Sequence, residues 1–249
     1  MAYFKVLLAD GIDPAGIELI QKTKAIEPIV RNKLVREELL KTIPEVDGII
    51  VRSGTRVDRE VIERSSKLKV IGRAGVGVDN VDVDAATENG IIVMNSPGGS
   101  TMTTAEHTIA MMFAMSRNIP QAYLLLKDHK WEKSRFKGVE MTGKTLGVIG
   151  LGRVGSEVAR KCQAMGMNVM AYDPFLNPEA DLSSGLLLVE IGKIFSEADF
   201  ITVHCPLTDE TTNLINKDVI ASMKDGVRLL NCARGGIINE ADLYEAMKE

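Results

Sequence analysis

Short apolar runs and stretches of helical spacing alternate from the start of the chain. Residues 4–9 read as a strand, 15–22 as a helix, 26–30 as a strand, 35–43 as a helix and 48–51 as a strand. Residues 58–65 form a further helix with Asp58 in the N-cap position, and two more strands, 69–73 and 91–95, flank a short helix at 84–89. Apolar runs joined by helical crossovers belong to parallel sheets covered on both faces. Residues 1–99 are therefore expected to form one doubly wound unit.

A second series covers residues 100–249. The apolar run 146–149 leads into Gly150-Leu151-Gly152-Arg153-Val154-Gly155, followed by a helix in which Val158, Ala159, Cys162 and Met165 recur at helical spacing until Gly166 stops it. A strand at 168–172 ends on Asp173. Strands at 187–189, 200–204 and 227–231 then alternate with helices at 191–196, 217–223 and 239–247. Ahead of this series lies a long helix, 100–117. Thr103 and Glu106 have capping-box spacing, and Ile109, Met112, Phe113 and Met115 supply its apolar side. It passes from one unit to the next and is expected to act as a hinge and cleft wall. Residues 118–143 carry Trp131, Phe136 and the cations Lys127, Lys130, Lys133, Arg135 and Lys137. They read either as a solvated loop with an aromatic anchor or as an arm that packs on a second subunit.

Composition narrows the function classes. At 249 residues the chain has room for two modest domains, and 45% hydrophobic with 26% charged residues is ordinary for a globular protein. A net charge of -4 argues against a nucleic-acid surface. No apolar run reaches membrane-spanning length, and the first residues turn acidic too soon for a signal peptide, so a cytoplasmic location is expected. Three widely spaced cysteines, Cys162, Cys205 and Cys232, give neither a zinc pattern nor a disulfide framework and are read as reduced; no metal is expected.

The glycine run carries the clearest chemistry. Gly150 permits a tight turn out of a strand, Gly152 clears space for a pyrophosphate, and Gly155 lets helix and strand approach closely. Phosphates rest well on a helix N-terminus, where unpaired N–H groups and the helix dipole favour negative charge. Asp173 follows Gly150 at close to the spacing of about 20 residues expected of the acid that binds the adenine ribose. Pro174-Phe175 offer no cation for a 2′-phosphate, so NAD is expected rather than NADP.

Ligands of doubly wound sheets gather beyond the carboxyl ends of the strands. Arg52-Ser53-Gly54-Thr55, Gly75-Val76-Gly77 and Ser96 to Ser100 occupy such ends in the first unit, and Cys205-Pro206-Leu207-Thr208 and Cys232-Ala233-Arg234-Gly235-Gly236 do so in the second. Arg52 is either a forked anion donor or a solvated, ion-paired surface residue. The Gly75–Gly77 amides either face an anion or only serve a turn. Arg234 is the favoured catalytic candidate. His107, placed in the first turn of its helix, reads as structural, and His129 is assigned no chemistry.

These stretches together closely resemble the D-isomer-specific 2-hydroxyacid dehydrogenases. The resemblance is carried by VRSGT at Val51 to Thr55, GRAGVGVDNVD at Gly72 to Asp82, NSPGGSTMTTAEHT at Asn95 to Thr108, RNIPQA at Arg117 to Ala122, GKTLGVIGLGRVG at Gly143 to Gly155, ITVHCPLT at Ile201 to Thr208 and NCARGGIINE at Asn231 to Glu240. It runs over essentially the whole chain. It implies a flavodoxin-like substrate domain at 1–99, a Rossmann NAD-binding domain at 100–249, and substrate held in a cleft.

Carried over by position, Arg153 and Val154 line the pyrophosphate beside Gly150, Gly152 and Gly155, and Asp173 holds the ribose. Val76, Cys205, Pro206, Cys232, Ala233 and Arg234 line the rest of the cofactor. Arg234 also holds the substrate carboxylate and polarises the reacting oxygen, while Arg52, Ser53, Gly75, Val76, Gly77 and Ser100 bind the remainder of a small anionic 2-hydroxy acid. The implied reaction is NAD-dependent oxidation of 3-phospho-D-glycerate to 3-phosphohydroxypyruvate, the first step toward serine, in a homodimer or higher homo-oligomer. Alternatives are a glyoxylate or hydroxypyruvate reductase of the same family and a dinucleotide-gated, corepressor-like interaction protein.

The family's acid/base histidine and its glutamate partner lie beyond the Ala-Arg-Gly-Gly motif, and the chain ends at Glu249 before either, so a C-terminally truncated protein is expected, with both domains incomplete and the 249 residues poorly active or inactive by themselves. His204 matches a family position that is not the proton donor. Ser100 stands where relatives usually carry Asn, which shortens its substrate contact. Asn239 stands where Asp is usual, with at most a slight weakening of a helix cap expected.

Overall fold

A computed structural model describes residues 3–176 and 186–248. The chain divides into two compact units, Met1–Ser100 and Thr101–Glu249. The first contains β1 (Phe4–Leu8), α1 (Pro14–Gln21), β2 (Ile26–Val30), α2 (Arg36–Thr42), β3 (Gly48–Val51), α3 (Arg59–Arg64), β4 (Val70–Arg73), α4 (Val83–Glu88) and β5 (Ile92–Asn95). All neighbouring strands are parallel, in the order β2-β1-β3-β4-β5. This is the flavodoxin-like winding, whose strand order reverses between β1 and β3.

Leu7, Ile49, Val51 and Ile71 from adjacent strands share one core cluster with Leu39, Val61, Ile62 and Ala85 from α2, α3 and α4. The caps explain the element starts. Asp58 accepts the Val61 N–H at 3.3 Å, as the sequence predicts, and Asp82 accepts the Ala85 N–H at 2.8 Å, which starts α4 one residue earlier than the apolar pattern suggests.

The second unit contains α5 (Thr101–Ser116), α6 (Ile119–Lys127), β6 (Thr145–Ile149), α7 (Arg153–Ala164), β7 (Asn168–Tyr172), β8 (Leu187–Leu188), α8 (Ile191–Glu197), β9 (Phe200–Val203), α9 (Lys217–Ala221), β10 (Arg228–Asn231) and α10 (Glu240–Ala246). Its sheet, again parallel, runs β10-β9-β6-β7-β8. This is the Rossmann order, with its reversal between β6 and β9. Alternation along the strands builds two cores. Leu146, Val148, Val169 and Ala171 join α5 and α7 on one side, while Ile149, Met170, Ile201 and Val203 join Ile194 and Phe195 of α8 on the other. Asn239 caps α10, its side chain accepting the Ala241 and Asp242 N–H groups at 3.1 and 3.2 Å.

Three local expectations are corrected. Helix α5 begins at Thr101, so Thr103 and Glu106 lie inside it and form no capping box, and His107 sits in its second turn, exposed. Residues 118–143 are not one loop, because Ile119–Lys127 is helical. Asn118 turns the chain in the left-handed region at φ 53°, and Pro120 occupies the first turn, where a missing N–H costs nothing. Finally, β8 is only two residues long.

Candidate functional site

In the second unit the glycine loop is shaped by contacts that forbid side chains. Gly150 leaves β6 with φ +94°, and a Cβ there would fall 2.9 Å from the His204 carbonyl carbon. A Cβ on Gly155 would lie 1.9 Å from the Gly150 carbonyl oxygen, so α7 rests directly on the turn. Gly152 is the opposite case, since a Cβ there meets nothing within 4 Å. That open space lies at the N-cap of α7, where no side chain caps the helix, and the first-turn N–H groups at Arg153, Val154 and Gly155 are free of intrahelical acceptors. An uncapped helix start behind a cleared glycine fits a dinucleotide pyrophosphate.

Asp173, half-buried at the end of β7, accepts the Leu151 N–H at 2.8 Å through Oδ2 and the Phe175 N–H at 3.0 Å through Oδ1. The carboxylate is thus fixed against the glycine loop, and each oxygen retains a further lone pair for a ribose hydroxyl. The loop after β9 starts with His204, whose N–H bonds to the Ile149 carbonyl at 2.7 Å and whose Nε2 lies 2.9 Å from Thr202 Oγ1. Burial pushes its pKa down to about 4, so the ring is neutral at pH 7. Cys205 follows half-buried, its thiol raised chiefly by desolvation, and Pro206 is exposed.

On the neighbouring strand end, Cys232, Ala233 and Arg234 are all half-buried. Asn231 shapes their loop: its side chain accepts the Ala233 N–H at 3.1 Å and donates to the Arg234 carbonyl at 2.8 Å. Arg234 Nη1 donates to the Ala233 carbonyl at 2.9 Å. The loops bearing Gly150–Gly155, Asp173, Cys205–Pro206 and Cys232–Arg234 thus follow four consecutive strands of one sheet, at its carboxyl edge.

The first unit gathers the other candidates. Arg52 and Ser53 follow β3 and are exposed; Gly75, Val76 and Gly77 follow β4. The segment after β5 is tied to that loop by the Ser96 N–H on the Gly75 carbonyl at 2.9 Å and by Asn95 Nδ2 on the Val76 carbonyl at 2.7 Å. Ser100 ends the unit, half-buried. Val76, expected on both cofactor and substrate, belongs to this unit.

The sequence reading missed Arg73. Its Nε is buried without a hydrogen-bond partner, and a Cβ on Gly75 would fall 1.4 Å from its Nη1, so the guanidinium lies over that glycine. A cation at the end of an apolar strand was the available signal. Asn231 was missed as well, although an Asn at a strand end before a tight loop is an Asx-turn signature. Among the described residues no group of His, Cys, Asp and Glu could hold a metal ion, and no helix is long and apolar enough to cross a membrane.

Residues 109–249 match the model of the D-isomer specific 2-hydroxyacid dehydrogenase family, NAD binding domain. The chain belongs to this family. Over 244 residues it is 52% identical to a D-3-phosphoglycerate dehydrogenase of Archaeoglobus fulgidus, a match covering 98% of this chain and 46% of the relative. This 2-hydroxyacid dehydrogenase chain therefore spans less than half the length of that relative. Among solved structures it resembles a protein of Thermus thermophilus with a TM-score of 0.89 at 33% identity, covering 98% of this chain and 78% of the other. It also resembles the NAD+-bound 3-phosphoglycerate dehydrogenase of Entamoeba histolytica, with a TM-score of 0.83 at 32% identity and coverage of 99% and 77%.

Proposed function

We propose that the protein oxidises 3-phospho-D-glycerate at its 2-carbon to 3-phosphohydroxypyruvate, with Met1–Ser100 as the substrate-binding domain and Thr101–Glu249 as the NAD-binding domain. The observation that carries this reading is the cationic, amide-rich set of strand ends in the first unit. Arg52 and Arg73 come from neighbouring strands paired Val51 with Arg73, and Gly75–Gly77 follow at once. Two guanidiniums suit a substrate with phosphate and carboxylate better than one with a carboxylate alone. The relative named D-3-phosphoglycerate dehydrogenase, at 52% identity, supports the same substrate.

When bound, NAD would take the hydride from the substrate's 2-carbon, while the 2-hydroxyl proton passes to a general base, the histidine that the family resemblance implies downstream of Ala233-Arg234-Gly235-Gly236. In this reading the α7 N-terminus holds the pyrophosphate, Asp173 orients the ribose, and Val154, Cys205, Pro206, Cys232 and Ala233 exclude water around the cofactor. Arg234 binds the substrate carboxylate and stabilises the charge that develops on the reacting oxygen. Arg52, Arg73, Ser53, Ser100 and the Val76 and Gly77 amides bind the rest of the anion, whereas the Gly75 N–H, expected to join them, is bonded to the Arg73 carbonyl at 2.8 Å and serves the turn. His204, neutral and held against Thr202, is structural. The test is NADH formation from 3-phosphoglycerate by the intact protein, set against NADH consumption with glyoxylate and with hydroxypyruvate. Preference for either of the latter pair in kcat/KM would replace the phosphoglycerate assignment with a reductase of the same family.

Homo-oligomerisation belongs to the same proposal. Met111, Phe113 and Met115 of α5 and Ile119, Tyr123, Leu124 and Leu126 of α6 are exposed, and an open groove of about 460 Å³ nearby is floored by Ile109, Ala110, Phe113, Ala164 and Met165 and edged by the charged Glu106, Arg160 and Lys161. Exposed apolar side chains beside a groove with a charged edge are suited to a second copy of the chain. A monomeric sedimentation coefficient at micromolar concentration would exclude it.

A further inference from the structure

We propose that Asp10 and Asn80 are positioning residues for the anion-binding loop Arg52–Thr55, an inference that rests on the assignment of Arg52 and Ser53 to the substrate. Neither touches substrate in this reading; each acts on the backbone that does. Asp10 follows β1, and Arg52 follows β3. These strands flank the point where the order of the sheet reverses, which is where doubly wound sheets bind ligands.

Asp10 Oδ2 accepts the N–H groups of both Arg52 and Thr55, at 2.8 and 2.9 Å, while Oδ1 accepts the Thr55 hydroxyl at 2.6 Å. From the other side Asn80 Nδ2 donates to the carbonyls of the same two residues, at 2.7 and 2.6 Å. Two side chains therefore satisfy every backbone polar group at both ends of the four-residue loop. Between those ends, the Ser53 and Gly54 N–H groups and the Arg52 guanidinium have no partner among the described residues, and all three residues are exposed.

The arrangement has the marks of one held by its surroundings. Asp10 sits at φ 64°, in the left-handed region that costs a non-glycine residue energy, and Thr55 is 5% exposed. A Cβ on Gly54 would fall 2.9 Å from Asp10 Oδ1, so the glycine is what lets the carboxylate reach beneath the loop. Asn80 is itself fixed, because the Val57 N–H bonds to its carbonyl at 2.8 Å beside the Val57–Val81 bridge. With either tie removed, the loop must find its bound shape at the moment the anion arrives, and apparent affinity falls by the fraction of time spent in other shapes.

The experiment is steady-state kinetics on the intact protein with Asn80→Ala, Asp10→Asn, Arg52→Gln and the Asn80→Ala/Arg52→Gln pair. Asn80→Ala and Asp10→Asn should each raise KM for 3-phosphoglycerate at least about tenfold, with kcat and KM for NAD changed by less than about threefold, a split that general destabilisation does not produce. If Asn80 works through Arg52, the double variant should be little worse than Arg52→Gln alone. Should Asp10→Asn fail to fold, Asn80→Ala decides. A raised KM in Arg52→Gln with unchanged kinetics in Asn80→Ala overturns the positioning role and leaves the substrate assignment standing; an unchanged KM in Arg52→Gln overturns both. Strictly additive losses in the double variant likewise overturn the positioning role.

Discussion

Two neighbouring glycines should separate stability from cofactor binding. In Gly155→Ala the new Cβ meets the Gly150 carbonyl oxygen at 1.9 Å, against the 3.4 Å or more of ordinary contact, and that oxygen belongs to backbone that cannot rotate away. The first turn of α7 must therefore retreat from β6 by more than an ångström. That retreat strains the Ser156 Oγ bond to the Leu151 carbonyl, 2.7 Å long, and carries the glycine loop with it. Overpacking of this kind costs about 1–3 kcal/mol. In Gly152→Ala the Cβ enters open space at φ −62°, a conformation alanine adopts freely, so stability should stay within about 0.5 kcal/mol of the parent. Its methyl group would instead enter the proposed pyrophosphate seat. Both variants should bind NAD at least about tenfold more weakly, a loss of ~1.4 kcal/mol, but for different reasons. Urea unfolding followed by circular dichroism, with NAD titration by calorimetry, reads the two effects independently. Equal stability of the two variants, or parental NAD affinity in Gly152→Ala, would refute the reasoning.

Asp173 predicts a preference for NAD over NADP in direct titrations, and tighter binding of NADP would contradict the ribose assignment. Arg234→Lys keeps the charge but loses the fork, so in the intact protein KM should rise and kcat fall at least about tenfold; near-normal kinetics would place the role elsewhere. Because burial holds His204 near 4 while its unfolded value is about 6.5, the unfolded chain binds the extra proton between those pH values. Stability should therefore fall as pH drops through that window, by up to roughly 3 kcal/mol, and His204→Asn should flatten the slope in acid unfolding curves. A slope unchanged in that variant would assign the acid sensitivity to other groups.

The sequence made much of this legible because the information was local. The strand at 146–149, the three glycines and Asp173 lie within one βαβ stretch, and each constraint is expressed in a residue type that the geometry demands. Helix α6 was missed because none of its residues is buried, so its apolar positions do not mark one inward face, and nearby cations suggest a loop. Asp10 and Asn80 were out of reach for a different reason. Their partners lie 42 to 45 and 25 to 28 residues away, brought close only by strand order. Asn231 was within reach, since its partners are two and three residues away.

Asp173 also bears on any attempt to re-engineer cofactor choice. The usual aim in turning such a site toward NADP is to delete the carboxylate that opposes a 2′-phosphate. Here the same carboxylate anchors the amide of Leu151, in the middle of the loop meant to receive the pyrophosphate. An alanine swap would remove the repulsion and slacken the receiving loop in one stroke. An asparagine, whose side-chain oxygen can still accept that N–H while carrying no charge, is the replacement that changes selectivity without unfastening the turn.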